Sequence, residues 1–271
     1  MNKYELSQWI EIQSWEQEKP GVISKVSNTL LHPVTWIAEK VIPQKLIESA
    51  LISCNAIAST LTDKDDIIRD GEVSTIDELK HKSLELSDKL ANSVHNWAIT
   101  TASAEGAAAG ASGVAGIAID IPATITMAYR VIHKIGLCYG FECNSEIDKQ
   151  FVNAVIAAST PNTVKEKSIA LVTLKQIEVI IAKNTWKKIS EKAITSRLSK
   201  EAAIITTKQL AKQVGKNITK KKAMQAIPVI SAGIGAALTA SFIRDVGWTA
   251  RRCFQRRWLL ENQLIQIEEN I

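Results

Sequence analysis

Apolar residues return at three- and four-residue intervals along most of the chain, which is the spacing of one face of a helix. From Ser74 the run Leu79, Leu84, Leu86, Leu90, Val94 and Trp97 reads as one helix, with Thr75, Asp77 and Glu78 filling its first turn. Upstream, Pro20, Pro33 and Pro43 break the pattern into short helices. Residues 63–78 form a polar connection between the two regions. Long stretches rich in Ala, Lys, Glu, Leu and Ile carry no hairpin signal between alternating strands, so the predicted class is all-α.

Two intervals depart from the amphipathic pattern by losing their polar face. Residues 106–119 are uncharged between Glu105 and Asp120, and Gly106, Gly110 and Gly113 recur where small side chains let a second helix approach closely. Pro122 is expected to restart the chain as a new helix, with Asp120 as its cap. Residues 223–243 repeat the character around Gly235. A membrane span needs about 20 apolar residues, and at 1.5 Å per residue the stretches 106–119 and 228–243 reach only about 21 and 24 Å. Buried packing is therefore expected of both, with shallow insertion as the alternative. The resulting architecture is a single helical domain with two buried Gly/Ala-rich segments. Residues 1–84 form a helical extension packed on a body of residues 85–271.

Charge changes the picture more than composition does. Residues 165–271 carry 20 Lys and Arg against 8 Asp and Glu, so the net charge of +5 hides a basic half and an acidic one. Within 183–222 the ratio is 12 to 2. There Lys208, Lys212, Lys216 and Lys220 make one stripe, and Ile204, Ala211, Val214 and Ile218 another, as in a basic amphipathic helix. Arg251, Arg252, Arg256 and Arg257 follow, interleaved with Trp248, Phe254 and Trp258. These eight cations are the candidate surface for an anionic membrane or an acidic partner. The alternatives are a solvated face for the lysines and packing against the body for the arginines. Nucleic acid is disfavoured, because no helix-turn-helix, RRM or KH motif accompanies the charge and Lys outnumbers Arg in the stripe.

Catalytic chemistry finds little support. Gly215-Lys216 lacks the upstream glycine of a phosphate loop, and Gly233-Ile234-Gly235 follows no strand. His133, Cys138 and Cys143 stand at spacings that match no zinc knuckle, so neither a metal nor a cofactor is assigned. The candidate polar site is Glu105, Asp120 and Arg130, because acids bordering an apolar helix require a partner, and a turn at Pro122 would bring Arg130 back to Asp120. The four cysteines form no CxxC pair and the first residues lack the apolar core of a signal peptide, which points to a reducing cytosol.

Gly110, Gly113, the triplet Asp120-Ile121-Pro122, Arg130 and Cys138-Tyr139-Gly140 resemble the EcsC family. So do Ile227-Pro228-Val229, Gly235-Ala236, Phe242, Asp245-Val246, Ala250, Phe254 and Arg257-Trp258-Leu259. Ser231 and Thr239 stand where that pattern has Gly and Asn. The family is named for an operon that encodes an ABC transporter. The resemblance implies an all-helical cytoplasmic protein that works at the inner membrane face or with a membrane protein, and it supplies no catalytic residue. The expected function is a non-enzymatic accessory or adaptor. The alternatives are a small-molecule or lipid-handling enzyme with its site near Asp120 and Arg130, and a membrane-inserting or pore-forming protein.

Overall fold

The computed structural model describes residues 1–20, 51, 53–55, 57–60, 62–110, 113–189, 213–215, 217 and 232–266; within these, the side chains of 105–110, 113–121, 184–189, 232–236 and 238 are excluded from description. Helices and no strand occur among them. Helix α1 spans Lys3–Gln17 and α2 spans Asp65–Asp70, followed by a 3-10 helix at Ile76–His81. The body comprises α3 (Leu84–Gly110), α4 (Gly113–Cys138), α5 (Glu146–Ser159), α6 (Val164–Ile189) and α7 (Ala232–Glu261).

Local chemistry sets several of the boundaries. Asn2 and Glu5 reciprocate in a capping box at α1, and Ser145 and Asp148 do so at α5. The helix expected from Ser74 onward is two elements instead. The Thr75 amide donates to Glu78 Oε1 at 3.1 Å and starts the 3-10 turn, and Ser83 Oγ then accepts from the Leu86 amide at 3.2 Å beside the start of α3. A second departure lies in α4, which runs through Pro122 unbroken. Asp120 therefore sits inside a helix rather than at its start, which corrects the expectation of a restart. Pro122 still accepts on its carbonyl, from Thr126 Oγ1 at 2.9 Å and from Cys54 Sγ at 3.7 Å.

Helix α7 is the spine. It packs antiparallel to α3, because Asp88, Asn92 and His95 meet Gln255, Arg251 and Arg244 in reverse order. It also rests on α4, α5, α6 and α1. Phe254 lies at the centre of the core, with Phe151, Phe141 and Tyr139 at ring distances of 5.2, 5.9 and 6.3 Å. Full burial of a side chain of this size stabilises by about 1.5 to 3 kcal/mol. The turn that closes α4 depends on Gly140, at φ +89°, where an added Cβ would stand 2.7 Å from the Lys80 amide nitrogen. It places Tyr139 under the 3-10 helix and aims its hydroxyl at α3. Helix α1, expected as part of an extension, joins the same core through Ile12, with Tyr4, Trp9 and Trp15 partly buried against it.

Candidate functional site

The most unusual chemistry of the body is a charged seam along α7. Position 250 continues the apolar line of α7 toward Phe254 and Trp258, so the arginines between these residues are carried inward or to the helix margins. Arg251, Arg256 and Arg257 are buried, and Arg252 is half-buried. Each guanidinium meets oxygen from another helix. Arg251 donates to Asn92 Oδ1 at 3.0 Å and lies 4.6 Å from the Trp248 ring. Arg252 reaches Gln8 at 3.0 Å and Glu11 at 2.5 Å on α1. Arg256 bonds Glu178 of α6 and stands 3.6 Å from Glu16. Arg257 pairs with Asp148 and Glu261, each at 2.8 Å, and covers the Phe141 face at 4.1 Å.

Three further groups complete the seam. Asp88 of α3 accepts from Tyr139 at 2.5 Å, from Tyr4 at 2.7 Å and from the Gln255 amide at 2.8 Å. Lys167 of α6 donates to the main-chain oxygens of Trp15 and Glu18 at the end of α1, at 2.5 and 2.7 Å. Lys175 holds Glu16 at 3.0 Å. Helix α1 is thus fastened mainly by polar ties that neutralise a row of cations.

Burial governs the titration of these groups. It lifts the Glu178 carboxyl to about 7 against the pull of Arg256. Burial likewise pushes Cys138, Cys143 and Cys253 upward, to about 12 for Cys143, so none is a thiolate at neutral pH. His95, which faces the Arg244 carbonyl at 3.0 Å, falls to about 4, and Gly247 admits its ring: a Cβ there would lie 2.3 Å from Cδ2. His133 also falls to about 4. Its Nε2 meets Asn55 Oδ1 at 2.8 Å in a cluster with Asn153 and Tyr129, and its Nδ1 is buried with no hydrogen-bond partner among the described residues.

These shifts give opposing slopes. A histidine lowered from 6.5 to about 4 contributes stability that is present above 6.5 and is lost as pH falls through 4. Glu178, raised from 4.5 to about 7, contributes stability that is present below 4.5 and is lost as pH rises through 7. Between these limits two imidazoles outweigh one carboxyl, so the melting temperature should fall as pH drops from about 6.5 toward 4. Glu178→Gln should make that fall steeper. Calorimetry across the window checks both, and a flat profile would contradict the buried, neutral histidines.

The residues singled out in the sequence are placed as follows. Asp120 and Arg130 share the one continuous helix α4, about 15 Å apart along its axis, so Pro122 does not bring them together. Arg130 is exposed. The side chains of Glu105 and Asp120 fall outside the described residues, as does the packing at Gly106, Gly110, Gly113 and Gly235. Lys208, Lys212, Lys216 and Lys220 lie outside them altogether. The arginine surface is corrected at three positions: Arg251, Arg256 and Arg257 face the interior because acceptors from α3, α5 and α6 meet them there. Sequence reasoning missed Asp88, Asp148 and Glu178, although Asp88 and Glu178 interrupt otherwise apolar helix stripes, at Leu84–Ala91–Ala98 and Leu174–Ile177–Ile181.

Chemically, the seam can hold helices in register. It pairs a strong set of cations with carboxylates, and no thiol or imidazole in it is set up as a nucleophile or base. Among the described residues, no group of three His, Cys, Asp or Glu is placed to hold a metal ion. No helix among the described residues is long and apolar enough to cross a membrane.

The chain is 22% identical over 265 residues, 93% of its own length and 91% of the relative's, to the protein named uncharacterized protein YdbA of Bacillus subtilis (strain 168). No solved structure matches it. The sequence model of the EcsC protein family matches residues 6–259, from within α1 to the last turn of α7. Most of the seam and core lies in that span, and the chain belongs to the EcsC protein family.

Proposed function

We propose that this protein is a non-enzymatic accessory factor that works peripherally at an anionic membrane surface. The carrying observation is where its positive charge is left over. Arg252, Arg256 and Arg257 are paired with the carboxylates of Glu11, Glu178, Asp148 and Glu261, and Arg251 is buried with its guanidinium on Asn92. The excess therefore concentrates in residues 183–222, at 12 Lys and Arg to 2 Asp and Glu. Asn217, inside that segment, is tied to the body by its Nδ2, which donates to the Thr160 carbonyl at 2.6 Å and to Glu166 at 3.2 Å. Asn217 itself is thereby held near the start of α6. Lysines near anionic lipid contribute about 1 kcal/mol each, screened over about 8 Å at physiological salt.

Flotation with phosphatidylglycerol vesicles tests the reading. Binding should be lost on raising salt, and Lys208, Lys212, Lys216 and Lys220 replaced together by Gln should cut the bound fraction by at least about tenfold, since several kcal/mol of attraction are removed. Equal flotation on pure phosphatidylcholine would refute it.

A further inference from the structure

We infer that the outer face of α6 is the part of the body that touches lipid, as an interfacial helix lying on the anionic membrane; this rests on the peripheral reading above. Helix α6 has two faces. Inward it sends Ala170, Leu174, Ile177 and Ile181 into the core, together with Glu178, which is buried against Arg256; its other acid, Glu166, is half-buried and accepts from Asn162 and Asn217. Outward it leaves Val164, Ile169 and Val172 at 56, 43 and 43% exposure. Their exposed neighbours on α6 are Lys165, Ser168, Gln176 and Lys183, and no carboxylate is fully exposed on the helix among the described side chains.

That combination is unusual for a solvated face, which normally interleaves both signs of charge around few aliphatics. Branched aliphatics flanked by exposed lysines, with the nearest acid half-buried and hydrogen-bonded, suit a surface that is apolar a few ångströms down and negative at its edge. Continuity supports the same occupant. The far end of the face, at Lys183, opens the basic run 183–222, and Asn217 returns that run to Thr160 beside the near end.

The test uses the full chain with Ile169→Cys or Val172→Cys carrying an environment-sensitive nitrobenzoxadiazole label. The native Cys54, Cys138, Cys143 and Cys253 are all buried, which directs labelling to the added thiol. With phosphatidylglycerol vesicles the fluorescence should rise at least threefold and be quenched by doxyl-labelled lipid, while a label at Ser93→Cys on α3 should not respond. The unlabelled double variant Ile169→Ser, Val172→Ser should float at least fivefold less at physiological salt. If the protein floats but the α6 labels still report water, the inference falls and the lysine-based reading stands. An equal α6 response on phosphatidylcholine overturns the lysine part of both. Absence of flotation on every vesicle overturns both entirely. A response that grows with protein concentration without vesicles would assign the face to a second copy of the chain and overturn the lipid assignment.

Discussion

Glu178→Leu should cost about 3 to 5 kcal/mol of folding stability, whereas Arg256→Met should cost less, although the two side chains form one buried pair. The asymmetry follows from what each survivor can do. Deprived of Arg256, the Glu178 carboxyl is already poised near 7 and takes up a proton, which removes the buried charge. Deprived of Glu178, Arg256 cannot shed its proton, and its remaining partner is Glu16 at 3.6 Å. The double variant leaves neither charge in the core and should recover most of the loss. Urea unfolding of the three proteins decides the matter. Equal single-variant losses, or a double variant no better than their sum, would show that the pair does not behave as a desolvated ion pair.

The same pair shows how far the sequence can be read. Helix periodicity exposed the all-α class, and the family resemblance pointed at Tyr139-Gly140 and at the α7 run, both of which prove central to the core. Position 250 with Phe254 and Trp258 marked one inward face of α7 correctly. What periodicity could not supply was the destination of Arg256 and Arg257, because their carboxylates arrive from α6 and α5, 78 and 109 positions earlier in the chain. Read locally, four arginines beside two tryptophans are a wet interface; read with Glu178 and Asp148 in place, they are an interior. Pro122 misled for a related reason. The rule that proline breaks a helix is a local cost, and α4 absorbs it between α3, α7 and α5, where burial of Ile125, Ala128 and Ile132 favours an unbroken helix. The lysine stripe was legible as charge, and Lys208, Lys212, Lys216 and Lys220 lie outside the described residues.

Asp88 is the second position where a single substitution should have a large effect, because it joins three elements that are distant in sequence. Its carboxylate takes the hydroxyl of Tyr139 from the end of α4, the amide of Gln255 from α7 and the hydroxyl of Tyr4 from α1. Tyr139 and Gln255 are almost fully buried and have no water to turn to. Hydrogen bonds to a charged acceptor contribute about 1.5 to 3 kcal/mol each, so Asp88→Ala should cost on the order of 3 to 6 kcal/mol. Asp88→Asn keeps one acceptor oxygen for Tyr139 and Gln255, and the Tyr4 hydroxyl can rotate to accept from the new amide. It should therefore lose only about 1 to 2 kcal/mol. A second readout separates this account from general core damage. Helix α1 buries only Ile12 fully, with Tyr4, Trp9 and Trp15 half-buried, and is tied by Asp88, Arg252, Lys167 and Lys175. In Asp88→Ala its amides should exchange with solvent faster than those of α3 or α7, at denaturant concentrations where the rest of the fold is intact. Uniform acceleration across all helices, or an Asn variant as unstable as the Ala variant, would remove Asp88 from the role of joining α1 to the body.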